Sequence, residues 1–321
     1  LLNGCRLAQI LLSIRGRSGS NWLCGDPAAM LAGRSLIFGE AEMTYKTILA
    51  VMQGAADGAR VLDCAVPLAA RHDAHVIGFH AEAMPLPYVT PMGFPDTEFI
   101  TVSEEAGEQR SAEIRALFEA RCGREDVPHS WRAVRNVSGD TAGSAFLLAR
   151  SCDLIVVQQV DPEADAGFLA DVEALLFESG RPVLFVPYAV SVDCAFRKVL
   201  VAWNGSQQAA RAAFDALPFI RAAQETEVLS LDAADNAEQD AAAAGADIAA
   251  ALARHGAKVT LASGITAGIG AGEAIENRIA DTQADLLVMG AYSQSRLKEF
   301  FFGGATRTLL QSMPVATLMS R

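Results

Sequence analysis

The sequence predicts an α/β fold of two doubly wound domains in tandem, each a five-stranded parallel sheet with strand order 3-2-1-4-5. Three observations predict it. Short apolar runs recur at a constant spacing. Each run is apolar along its whole length, as a parallel strand buried on both faces requires. Helical segments alternate with the runs, the pattern of right-handed β-α-β crossovers.

The spacing organises the chain. Asp153-Leu154-Ile155-Val156-Val157 matches Asp285-Leu286-Leu287-Val288-Met289 at an offset of 132, and Pro182-Val183-Leu184-Phe185-Val186 matches Pro314-Val315-Ala316-Thr317-Leu318 at the same offset. Tyr45 to Val51 matches Phe196 to Ala202 at an offset of 151, so the N-terminal half carries 19 extra residues between its first and fourth strands. Met84 to Pro95, with four prolines in twelve residues, is the expected place for them, as a long loop. A length of 321 residues suits two domains, 43–190 and 195–321, joined by Val190 to Cys194. Residues 1–42 lack a steady period, and Met43 opens the first clean strand pattern. They are expected to be an extension outside the fold, with Met43 the true start.

Each element has a local cause. In the C-terminal half the first strand runs to Ala202, and Gly205-Ser206 offers an N-cap for a helix over Gln207 to Phe219. Glu227 to Leu231 is the second strand. Ala241 to His255 reads as a helix stopped by Gly256. Lys258 to Leu261, a helix over Ala271 to Thr282, a fourth strand ending at Gly290, a helix over Thr306 to Met313, and a fifth strand opened by Pro314 complete the half. The N-terminal half repeats the scheme with Val76 to His80, a helix over Glu104 to Arg121, Trp131 to Val134, and a helix before Asp153.

Composition narrows the partners. The formal net charge is −12 and Lys and Arg are scattered singly, which disfavours nucleic acid and anionic membranes. No apolar run approaches the ~20 residues of a membrane span. Leu7 to Ile14 is short and lacks a small-residue cleavage pattern behind it, so a cytoplasmic location is expected. The six cysteines include no CxxC pair, which argues for reduced thiols and against a zinc site or disulfide framework. His72, Asp73, His75 and His80 cluster, but alternation along a strand puts His75 and His80 on opposite faces. They read as ordinary polar ends of a helix and strand, with no metal. No GxSxG elbow occurs and Cys152 has no evident His partner, so no catalytic residue is expected and hydrolysis of ATP would at most be weak.

A doubly wound sheet binds ligands beyond the carboxyl ends of its strands, at the switch point between strands one and four. In the C-terminal half these ends are Trp203-Asn204-Gly205-Ser206 and Gly290-Ala291-Tyr292-Ser293. Beyond them lie Arg296 and Gly303-Gly304-Ala305-Thr306. Glycines opening a helix leave backbone N–H groups for a phosphate, and Arg296 would add positive charge. The stretch from Ala284 to Pro314 resembles the signature of universal stress proteins. In nucleotide-binding members a glycine follows strand four, a second comes three residues on, and a third follows after nine more, then Ser or Thr. Gly290 and Gly303 fit the first and third; Ser293 and Gly304 replace the second glycine and the Ser or Thr. Thr306 lies two residues further, and Asn204 stands where the family's first-strand acid meets the nucleoside. The resemblance covers residues 43–321 as two copies. It implies Rossmann-like domains that pair through their last strands, either as a homodimer or as a pseudo-symmetric pair within one chain. It implies a cytosolic stress-response protein with an adenine nucleotide, ATP or AMP, on Asn204, Gly205, Ser206, Gly290, Ser293, Arg296, Gly303, Gly304, Ala305 and Thr306. The corresponding N-terminal positions are Gln158, Asp171 and Val172, and Asp161, Glu163, Asp165 and Asp171 would repel phosphate, so no nucleotide is expected there. The alternative is a structural or interaction module that dimerises and docks an unidentified protein partner through the Pro-rich loop.

Overall fold

Strands that are apolar throughout must be covered on both faces, and the chain does this with helices on alternate sides of one sheet. The structure is a computed structural model that describes residues 44–84, 97–137, 140–161, 172–231, 245–266, 268–292 and 305–321. The expectations for residues 1–42 and for the Pro-rich loop beyond Met84 lie outside these.

The N-terminal half runs β1 (Thr47–Val51), α1 (Ala55–His72), β2 (His75–Ala83), α2 (Thr97–Arg124), β3 (His129–Asn136), α3 (Thr141–Ala149), β4 (Leu154–Gln158), α4 (Val172–Glu178) and β5 (Val183–Val186). The C-terminal half runs β6 (Lys198–Trp203), α5 (Gln207–Asp215), α6 (Leu217–Ala222), β7 (Glu225–Leu231), α7 (Ala246–Arg254), β8 (Val259–Gly264), α8 (Ala271–Thr282), β9 (Leu286–Gly290), α9 (Ala305–Ser312) and β10 (Ala316–Ser320). The strands form one ten-stranded sheet in the order β3-β2-β1-β4-β5-β10-β9-β6-β7-β8. Each half therefore has the expected order 3-2-1-4-5. All pairings are parallel except β5 with β10, which is antiparallel and fuses the halves.

The register carries the repeat into three dimensions. Ile48 faces Leu154 and Val199 faces Leu286, so the offsets of 151 and 132 are kept across the first and fourth strands. At the junction Thr317 faces Phe185, which is its own counterpart 132 positions earlier. A pseudo-two-fold axis thus passes through that pair. The extra N-terminal length lies between β2 and β3. Val76 faces His129 and Thr226 faces Val259, while α2 has 28 residues against nine in α7. Part of the excess is therefore helix rather than loop.

Two boundaries differ for simple reasons. The helix expected over Gln207 to Phe219 breaks at Ala216, because Pro218 has no N–H to donate and occupies the first turn of a new helix, α6. Strand β2 runs on to Ala83, which corrects the reading of His80 as a polar strand end. His80 is buried. Its Nδ1 lies 2.9 Å from the Met52 carbonyl oxygen and its Nε2 3.3 Å from Glu82, which also accepts from Arg110 at 2.6 Å. Among the described residues no cluster of His, Cys, Asp or Glu could hold a metal ion, and no helix is long and apolar enough to cross a membrane.

Both core layers cross from one half to the other. One packs α1, α2, α5, α6 and α7 on the sheet, the other α3, α4, α8 and α9. Tyr45, at the start of the N-terminal half, donates from its hydroxyl to the Asp215 carbonyl at 2.7 Å and packs on Phe219, ring centroids 5.1 Å apart. The expectation of reduced thiols without disulfides is corrected. Cys64 on α1 and Cys194, between β5 and β6, form a disulfide with Cα atoms 5.5 Å apart. Partners 130 residues apart leave no spacing signal; only the packing of α1 against the joining segment brings them together. Cys122 and Cys152 are free and buried, and burial pushes both thiols up to about 11, which leaves them inert. Cys5 and Cys24 lie outside the described residues.

Candidate functional site

The C-terminal switch point is built where β6 and β9 end side by side. From β6 the chain passes Asn204, whose side-chain oxygen accepts from the Ser206 N–H at 3.1 Å, and Gly205, at φ +73°, where a Cβ would be strained. Ser206 then caps α5. Its hydroxyl oxygen accepts from the Ala209 N–H at 3.1 Å, leaving the amides of Gln207 and Gln208 without intrahelical partners by helix geometry.

From β9 the chain passes Gly290. A Cβ there would sit 2.4 Å from the Ala209 backbone nitrogen and 2.5 Å from the Gln208 carbonyl carbon. The end of strand four therefore lies directly on the first turn of α5, and glycine is required for that approach. Ala291 is buried and donates to Ser320 at 2.9 Å. Tyr292, at φ +51°, donates its N–H to the Thr306 hydroxyl oxygen at 3.2 Å. Thr306 is buried in the first turn of α9, next to Ala305. Its hydroxyl thus tethers the end of β9 to the start of α9. Ser293, Arg296, Gly303 and Gly304 lie outside the described residues.

Tyr292 also reaches into the other half. Its hydroxyl bonds the Glu173 carboxylate on α4, and its ring lies 4.8 Å from that of Phe177, over which the Arg321 guanidinium sits at 4.1 Å. The reciprocal contact comes from Gln159, just past β4. Its amide donates to the Leu310 and Gln311 carbonyls of α9 at 2.8 and 3.0 Å. Each half thus fastens a residue just past its fourth strand to the last helix of the other. Sequence reading gave neither contact, because both depend on how the halves meet.

The N-terminal switch point is different chemistry. Gln158 ends β4 and Val172 is buried on α4, while Glu163, Asp165 and Asp171 lie outside the described residues. In the first turn of α1 stands Asp57, which belongs to no glycine motif. Its carboxylate accepts from the Gln53 and Gly54 N–H groups at 2.7 and 2.6 Å. Burial pushes its carboxyl above the ordinary value, against the lowering effect of those bonds. At the matching place α5 carries Ala209. An acid three residues past a cap is the sequence signal that marks it. An anion would meet this carboxylate in the N-terminal half and none in the first turn of α5.

A separate groove of about 310 Å³ opens at the ends of β7 and β8 beside α8, lined by Leu229, Leu231, Ile265, Ile269 and Arg278 among others. Arg278 is already held by Glu227 through two bonds of 2.7 and 2.6 Å, and none of the described candidate residues lines the groove.

Sheet order, antiparallel junction and switch-point loops define a class: two doubly wound α/β halves fused through their fifth strands. Residues 195–321 match the model of the universal stress protein family. A universal stress protein from Archaeoglobus fulgidus DSM 4304 has the same fold over 86% of this chain and 96% of its own, at 16% identity and a TM-score of 0.63. A functionally unknown protein from Pseudomonas aeruginosa PAO1 covers 86% of this chain and 92% of its own, at 16% identity and a TM-score of 0.52. These likenesses extend the tandem fold across both halves. No curated protein matches the sequence.

Proposed function

We propose that the chain is a cytosolic stress-response protein that binds an adenine nucleotide, ATP or AMP, in its C-terminal half alone, with 43–190 and 195–321 as its two domains. The observation that carries this reading is the bond from the Tyr292 N–H to the Thr306 hydroxyl. It ties the end of β9 to the start of α9, beside the first turn of α5. A phosphate held there would meet backbone N–H groups and a helix N-terminus. The N-terminal half lacks the glycines and places Asp57 in the way. No catalytic residue is assigned, since binding is what this geometry offers.

One observation favours a second reading. Gly290 is explained by strand–helix packing alone, which would leave an interaction module that works through pairing and partner docking. Calorimetry on the full chain separates the two. ATP or AMP should bind with a stoichiometry of one, and Gly303→Val with Gly304→Val should abolish binding. An absence of heat at millimolar nucleotide would put the interaction module in front.

A further inference from the structure

We propose that Cys64 and Cys194 are a dedicated, reversible thiol–disulfide pair that locks the segment joining the two halves onto α1. Cys194 is buried, yet it ends a stretch, Ala189 to Asp193, that is exposed or half-buried throughout. The joining segment is thus anchored to the body towards its end, by half-buried Val192 and by Cys194, its first fully buried residue. Helix α1 reaches the same point twice. Cys64 supplies the sulfur, and Arg71, two turns on, donates from its guanidinium to the Cys194 carbonyl. Two residues past Cys194, Phe196 adopts φ +44°, a conformation that costs energy for a bulky side chain. Packing of its ring 5.1 Å from Phe219 keeps it there. A covalent anchor just before this residue holds the entry to β6 in place.

Geometry and environment make the pair selective. The 5.5 Å between the Cα atoms lies within the range a bridge spans without moving the backbone. Cys122 sits on α2 and Cys152 before β4, in opposite core layers, with neither on the joining segment. Their thiols, pushed up to about 11, hold little thiolate at neutral pH.

In a reducing compartment the pair is a dithiol, and the oxidant is a low-molecular-weight disulfide such as oxidised glutathione. One cysteine thiolate attacks it, forming a mixed disulfide and releasing one small thiolate. The second cysteine thiolate displaces the other. One S–S bond is made for one broken, and the two cysteine protons pass to the released thiolates. Both sulfurs are buried, so exchange requires the joining segment to lift, and its exposed stretch allows this without opening the sheet. Disulfides of cytosolic proteins are mostly of this transient, sensing kind. The proposal does not depend on nucleotide binding.

The test uses the full chain with Cys5→Ser and Cys24→Ser, equilibrated with reduced or oxidised glutathione, then alkylated and mapped by mass spectrometry. The peptide joining Cys64 to Cys194 should accumulate under oxidant and disappear under reductant in native buffer, with Cys122 and Cys152 unalkylated until the protein is denatured. Oxidation closes a 130-residue loop, so the melting temperature should rise by roughly 5–10 °C, and by nothing when Cys194→Ser is added. Absence of that peptide would overturn the proposal. So would a bridge that opens only in denaturant, or a melting shift that survives Cys194→Ser. The peptide map needs no cysteine variant of the pair, so it decides even if Cys194→Ser fails to fold.

Discussion

At the residue scale the most constrained position of the candidate site is Gly290. Its freedom of φ is not the issue; its lack of a side chain is, because the α5 backbone occupies the Cβ position at 2.4 Å. A backbone atom cannot swing aside as a side-chain tip would. Gly290→Ala should therefore destabilise the chain by about 1–3 kcal/mol, the usual cost of overpacking, as measured by urea denaturation. A variant as stable as the parent would mean that β9 and α5 are not in contact. The glycine was visible in the sequence as a motif member or as a helix–strand packing position; which backbone it meets was not. Asp57 belongs to no glycine motif, yet its cap bonds and burial distinguish the two switch points. His80 shows a related limit. Local alternation said which face it took, and only the length of β2 and the approach of α2 showed it buried against Glu82 and Arg110.

At the scale of elements, patterning worked where one segment contains its own cause. Ser206 caps α5 as a serine after Gly205 should, and α7 ends before Gly256 at φ +87°. Patterning failed where an end is satisfied from elsewhere. The last carbonyls of α9 are met by Gln159, 151 residues away. Gln159→Met keeps the size of the side chain and removes the donors. It should cost about 1–3 kcal/mol, because two hydrogen bonds to part-buried carbonyls, worth about 0.5–1.5 kcal/mol each, are lost. Faster hydrogen exchange in α9 would localise the effect, and unchanged exchange there would show that the cap is not what matters.

For the whole molecule, the junction of β5 and β10 explains why one sheet has ten strands. Each is the last strand of its half and would otherwise be an open edge; pairing them hides both. Because Thr317 faces its own counterpart, a second C-terminal half could take the place of the N-terminal one. Residues 195–321 expressed alone should form a homodimer by light scattering. Thr317→Lys should reduce it to monomer, since like charges would face each other at the axis. A fragment that is monomeric without the charge would remove the pseudo-symmetric account of the junction.

The sequence by itself determined the strands, their alternation with helices, and the repeat that relates the halves. These follow from periodicity and spacing, which are properties of segments. Only the tertiary structure decided that the fifth strands pair within one chain, that Cys64 meets Cys194, and that Tyr292 and Gln159 cross between halves. Each of these contacts joins residues more than 100 positions apart. No local pattern encodes such a pairing; it exists only once burial of both sheet faces has brought the two halves together.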